Sequence, residues 1–395
     1  MVEALITREI ISWAINRSNK TESDVAEKLH VDRDKVAAWI SGPDYPSFSQ
    51  AQNLATLLHI PFGYLYLSNP PAEDLPLPDL RVVTGKPAIK PSPIFLDILY
   101  GAMRKQEWYH EYLKNQEANG LHFVGKYALQ DDRKVIAADI VDTLGINDEL
   151  RKQSQNWTEF LDLFVQRIEG AGIIVLRQGF VGGNTKRTLA VDEVRGFAIV
   201  DDLAPLIFIN SNDAKAANIF TLAHELAHLW IGQGGVSNPD YLLRSTEQRN
   251  IIDRQCDAIA AEVLAPSDDF VIQWRSFNNL DSNLRKLAKH YRVSPFVILR
   301  RSYELNKITR ATYMKKYSEL LQERHTGGGG NKETYAASIL SRNSKKLTTT
   351  LLTSVAEGQI TFWYAAKLLN MTVKSLLAHR DRILKMGRAN ARLLD

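Results

Sequence analysis

The sequence predicts a mainly α protein with a small β-sheet, an α+β chain built from more than one domain. Three observations carry this. Apolar residues recur at helical spacing along most of the chain, while only Ile173 to Leu176, Gly196 to Val200 and Pro205 to Asn210 read as strands. The composition breaks at a proline-rich stretch after Ser68 and again at Gly327 to Gly330. The length, 395 residues, exceeds the usual size of one core, so two or three domains are expected.

The composition narrows the class. Hydrophobic residues make up 45% and charged residues 24%, which is ordinary for a soluble globular protein and excludes a disordered chain. Cys256 is the single cysteine, so no internal disulfide framework exists and a reducing cytoplasm is the expected compartment. Met1 to Ile15 carries Glu3, Arg8 and Glu9, unlike a signal peptide. No run approaches the roughly 18 apolar residues that span a bilayer, so no membrane association is expected.

The first 68 residues read as short helices. Ile6 to Ile15 is amphipathic, and Thr21 caps Glu22 to Leu29 with Asp24 as the acid of a capping box. His30-Val31-Asp32 breaks the chain before Arg33 to Ile40, which Ser41-Gly42-Pro43 ends. Ser47 to Leu58 is a further helix, and Pro61 to Leu67 closes the unit. Two helices around so short a break make a helix-turn-helix pattern. Thr21 to Leu67 resembles the repressor-like DNA-binding domains of phage regulators, which implies that Ala26 and Val31 meet between the helices and that Trp39 and Gly42 mark the end of the recognition helix.

Whether this unit reads DNA is left open by its charge. Residues 1–60 hold 6 Lys and Arg against 8 Asp and Glu, a net −2, and the start of the second helix reads Asp32-Arg33-Asp34-Lys35. Acidic surfaces repel phosphate. Arg33 and Lys35 are the candidate contacts to double-stranded DNA, best presented by a homodimer. The alternative is a protein-docking module that recognises the substrate.

Residues 69–93 read as a proline-rich linker and residues 94–325 as a central domain. In the latter, helices over Ile94 to Lys114, Asp131 to Leu144 and Trp157 to Gly170 precede the strands, with Gly182-Gly183-Asn184 as a turn. The chain then reads as helical to about Leu321. Residues 326–395 form a helical module in which Glu357-Gly358 closes one helix and Thr361 opens the next. From Asn331 onward there are 11 Lys and Arg against 4 Asp and Glu, a net +7, which suits nucleic acid, an acidic partner or simply a solvated face. No internal repeat is convincing.

The chemistry concentrates at His224-Glu225-Leu226-Ala227-His228. Residues four apart share a helix face, so both imidazoles can hold one zinc ion and Glu225, beside them, can act as general base. The competing reading, that the histidines pack or cap an ordinary helix, meets an obstacle. Phe220, Leu222, Ala223, Leu226, Ala227, Leu229 and Trp230 make the helix apolar nearly all round, and ionisable groups in a buried helix are costly unless paired or metal-bound. Asp253 and Asp257, again four apart on a helix with small residues, are candidates for third ligand and for the group that orients a histidine. Otherwise Asp253 is a helix-start residue and Asp257 an exposed charge. Tyr241 and His290 are candidates for stabilising an oxyanion, though such residues more commonly serve packing or the surface.

Phe220 to Gly232 with Gly234 to Ser237, and Cys256 to Pro266, are similar to the two signatures of the ImmA/IrrE metallopeptidases. Members often carry a repressor-like helix-turn-helix joined by a segment like Pro70-Pro71 and Leu77 to Arg81, so the resemblance covers roughly Thr21 to Arg300. The family usually has glutamate where this chain has Asp253, one methylene shorter. The resemblance implies a zincin-like minimal peptidase domain. It also implies a zinc-dependent endopeptidase that cleaves a repressor or antitoxin in a phage, mobile-element or stress-response setting. The alternative is a non-proteolytic regulator or antitoxin that uses the fold as a scaffold to bind DNA or a toxin partner.

Overall fold

Helix capping organises the N-terminal unit. The structure, a computed structural model, describes residues 2–18, 20–73, 75–78, 91–237, 250–275, 279–324 and 334–389. Residues 79–90 of the proline-rich stretch, Tyr241 and Gly327 to Gly330 lie outside these. α1 (Arg8–Arg17) starts two residues later than the spacing predicts. Glu3 forms a β-bridge with Ser47, and the buried Ile6 belongs to this extended entry. α2 (Glu22–Leu29) opens on the expected capping box: the Asp24 N–H donates to Thr21 Oγ1 at 3.1 Å, and the Thr21 N–H donates to the Asp24 carboxylate at 2.7 Å. α3 (Arg33–Ser41) follows a three-residue turn, and α4 (Phe48–Leu58) has its own capping box from Ser47 and Gln50. A 3₁₀ turn, Phe62–Tyr66, closes the unit. Ile10, Val25, Val36, Trp39, Leu54, Leu58 and Leu65 are its core, each aliphatic side chain contributing about 1.5–3 kcal/mol on burial.

The chain divides into two compact units, Met1–Pro76 with Pro91–Leu96, and Leu77–Lys90 with Asp97–Asp395. The second unit is mainly helical around one small sheet. α5 (Pro93–Asn115, within this unit from Asp97), α6 (Arg133–Leu144), α7 (Asp148–Gln153) and α8 (Trp157–Gly170) lead into β1 (Ile174–Arg177), β2 (Gly196–Ile199) and β3 (Leu206–Ile209). α9 (Lys215–Trp230) is followed by β4 (Gly235–Ser237) and α10 (Ile251–Leu264). β4 interrupts what reads as continuous helix in the sequence, because so short a strand shows no alternation of its own. The sheet order is β1-β3-β2-β4; β3 runs parallel to β1, and both β2 pairings are antiparallel. The Val236 N–H donates to the Pro78 carbonyl at 2.9 Å, so a main-chain segment from before α5 engages β4.

α11 (Ser267–Gln273), α12 (Leu280–Tyr291), α13 (Pro295–Glu304) and α14 (Arg310–Arg324) complete the central part; α15 (Tyr335–Asn343), α16 (Lys345–Ala356), α17 (Phe362–Leu368) and α18 (Val373–Ala389) follow. Glu357 ends α16, Gly358 takes a left-handed φ of 74°, and Thr361 caps α17, as the sequence suggests. α15 packs on β1. At the end of α8 the buried Glu169 carboxylate accepts the Lys345 N–H at 2.9 Å, so one side chain of the central part caps α16. Burial raises the Glu169 pKa. Among the described residues no helix is long and apolar enough to cross a membrane.

Candidate metal centre

α9 is buried on every side from Ala216 to Trp230, packed between the sheet and α6, α8 and α10. Its apolar residues explain why it sits there; His224, Glu225 and His228, each fully buried, are what that position must accommodate. α10 lies closely against it, with Ala260 of α10 and Ala223 and Ala227 of α9 in one core. Small side chains let the two axes approach. That approach brings the short carboxylate of Asp253 to the histidines. Its Oδ1 is 3.6 Å from Nε2 of His224 and 3.6 Å from Nε2 of His228.

The two Nε2 atoms are 3.1 Å apart. Two nitrogens bound at ~2.05 Å to one tetrahedral ion would be about 3.3 Å apart, so the spacing fits a shared cation. His224, His228 and Asp253 each offer one donor atom, and all three atoms lie within 4.8 Å of one another. The far side of each ring is also held. Nδ1–H of His224 donates to Asp257 Oδ1 at 2.9 Å, and Nδ1–H of His228 donates to the Gln233 carbonyl at 2.6 Å. Fixing the proton on Nδ1 leaves the lone pair of Nε2 facing Asp253. Imidazole and carboxylate together suit zinc.

Electrostatics couple the three groups. Burial disfavours a charged His224, but its bonds to Asp253 and Asp257 outweigh this and push its pKa up to about 10. Burial likewise acts to raise the Asp253 pKa, and the two imidazoles overcome it, holding the carboxyl well below the usual carboxylate range. A cation seated among these atoms therefore takes the place of a proton on His224, so its binding releases protons.

β2 completes the surroundings of Glu225. A Cβ at Gly196 would stand 2.6 Å from Glu225 Oε1 and 2.7 Å from Thr221 Cγ2, so only glycine lets the strand approach the helix here. Gly232, at φ 66°, turns the chain so that Gln233 faces His228, and a Cβ there would be 3.0 Å from the Gly125 Cα. Neither Gly196 nor Gln233 carries a recognisable signal in the sequence: one acts by lacking a side chain, the other through its backbone carbonyl. His290 is exposed at the end of α12, 3.4 Å from Asp269, and does not join the cluster.

Residues 169–303 match the family model Peptidase_M78, the IrrE N-terminal-like domain. The match runs from the end of α8 to α13 and so contains the whole sheet, α9 and α10. No curated protein and no solved structure matches the chain. α2 and α3 lie outside the IrrE N-terminal-like stretch, as do α14 to α18. Arg33 and Lys35 are exposed at the start of α3, interleaved with the exposed Asp32 and Asp34.

Proposed function

We propose that this chain is a zinc-dependent endopeptidase of the His-Glu-x-x-His type, in which His224, His228 and Asp253 hold the ion. The observation that carries the reading is the convergence of three buried donors whose histidines are each held from behind, by Asp257 and by the Gln233 carbonyl. When bound, the ion supplies Lewis-acid polarisation of the scissile carbonyl and lowers the pKa of water. Glu225, buried against β2, takes a proton from the attacking water as its oxygen adds to the scissile carbonyl carbon, and returns that proton to the amine nitrogen as the C–N bond breaks. Asp257 fixes the ring of His224 throughout. The IrrE N-terminal-like match supports a metallopeptidase, and the sequence resemblance points to a repressor or antitoxin as substrate, cleaved to change gene expression.

Glu225→Gln in the full-length protein tests this. The variant is expected to keep its zinc, to lose cleavage, and to co-purify with the uncut regulatory protein. A Glu225→Gln chain with unchanged biological effect would discard proteolysis in favour of a scaffold that acts by binding alone.

A further inference from the structure

One helix-ending turn recurs in the chain, and in four of its occurrences the accepting carbonyl is an alanine's. The carbonyls of Ala26, Ala55, Ala288 and Ala366 accept the N–H five residues on, from Val31 at 3.0 Å, Ile60 at 3.0 Å, Val293 at 3.1 Å and Met371 at 2.8 Å. The residue before each donor is left-handed: His30 at φ 54°, His59 at 55°, Arg292 at 56° and Asn370 at 55°. Three of these turns run into a full α-helix, namely α3, α13 and α18. Each is a helix, a tight left-handed turn and a second helix, the geometry by which a helix is offered to the major groove.

The three second helices differ in what they expose. On α13, Val297, Ile298, Leu299, Arg301 and Ser302 are buried, and Arg300 and Arg301 engage Glu304 and Glu262. That helix is part of the core. The first turn of α3 and its N-cap Asp32 alternate acids and bases and together carry no net charge. α18 is different. Leu376 and Ile383 bury one side of it, while Lys374, Leu377, Ala378, Asp381, Arg382 and Lys385 are exposed. At 100° per residue these six fall within one arc of about 140° opposite the buried pair. Asp381 is held by Arg380 at 2.9 Å, and Lys374, Arg382 and Lys385 form no ion pair among the described residues. On α17 the exposed Lys367 lies 5.0 Å over the ring of the exposed Trp363.

We propose that α17 and α18 form a helix-turn-helix that binds double-stranded DNA, with the outward face of α18 in the major groove. Lys374, near the start of α18, reaches base edges or the first phosphates; Arg382 and Lys385 neutralise phosphates further along, and Leu377 and Ala378 suit thymine methyl groups. The net +7 beyond residue 330 supplies the long-range attraction that the acidic first 60 residues lack.

Fluorescence anisotropy of the full-length protein with a random-sequence 30-base-pair duplex, over a range of salt, reads this directly. The combined change Lys374→Ala, Arg382→Ala, Lys385→Ala is expected to weaken binding at least about tenfold and to flatten the log–log salt slope by about 2 to 3. Arg33→Ala with Lys35→Ala leaves both within about twofold. The charge-keeping change Lys374→Arg, Arg382→Lys, Lys385→Arg retains binding, and far-UV circular dichroism and zinc content verify the fold of each variant. No duplex binding by the wild-type protein at low salt overturns the proposal. So does loss through Arg33 and Lys35 instead, or a folded triple-alanine variant with wild-type affinity and slope.

Discussion

Among the helices of the second unit that bury ionisable groups, α9 and α5 treat them in opposite ways. On α9 each imidazole meets an oxygen on both sides: Asp253 and Asp257 around His224, Asp253 and the Gln233 carbonyl around His228. On α5 the ammonium of Lys105 is just as deeply buried, but the charges that act on it, Arg104 and Arg342, are both positive. Burial first, and then these two cations, lower its pKa to about 7. The contrast separates a buried charge that belongs to a constructed site from one that the fold merely tolerates. Burial alone is therefore no mark of function; a converging set of partners is.

Replacing Lys105 should give the largest effect and sharpen this contrast. Its folded-state pKa lies below its unfolded one, so the cost is full below about pH 7 and fades as pH rises toward 10.5. Lys105→Met is expected to raise unfolding free energy by about 5 kcal/mol at pH 6, with the gain shrinking to near zero by about pH 10, as followed by denaturant melts at each pH. A pH-independent effect would deny that Lys105 bears a desolvated charge. Asp253→Ala does the reverse, taking from both imidazoles of α9 the one partner they share. Metal-stripped Asp253→Ala should lose about 3–5 kcal/mol relative to the metal-stripped wild type, because two buried imidazoles lose their shared carboxylate. Asp257→Asn keeps the shape behind His224 and removes the charge. It should leave the fold intact and weaken zinc binding about 10- to 100-fold in a chelator competition.

Much of this centre was legible in the sequence, for physical reasons. The four-residue spacings of His224 with His228 and of Asp253 with Asp257 fix a common face on any helix, and the apolar residues around His224 announce burial. Capping is equally local, so Thr21 with Asp24 could be read directly. What escaped depends on contacts between distant segments. β4 is three residues long and exists through its pairing with β2. Gly196 matters because β2 passes Glu225, and the Gln233 carbonyl because Gly232 turns it. The recurring turn was hidden because it is stored in backbone angles. His30, His59, Arg292 and Asn370 share a conformation and almost no chemistry, and none is the glycine that usually marks it.

Elemental analysis of the purified full-length protein beside His224→Ala and His228→Ala tests the metal centre most directly. Stoichiometric zinc is expected in the wild-type protein and its loss in both variants, with all three chains folded by circular dichroism. A folded wild-type chain that takes up no zinc when it is offered, or stoichiometric zinc that persists in either histidine variant, would contradict the assignment of His224 and His228 as its ligands.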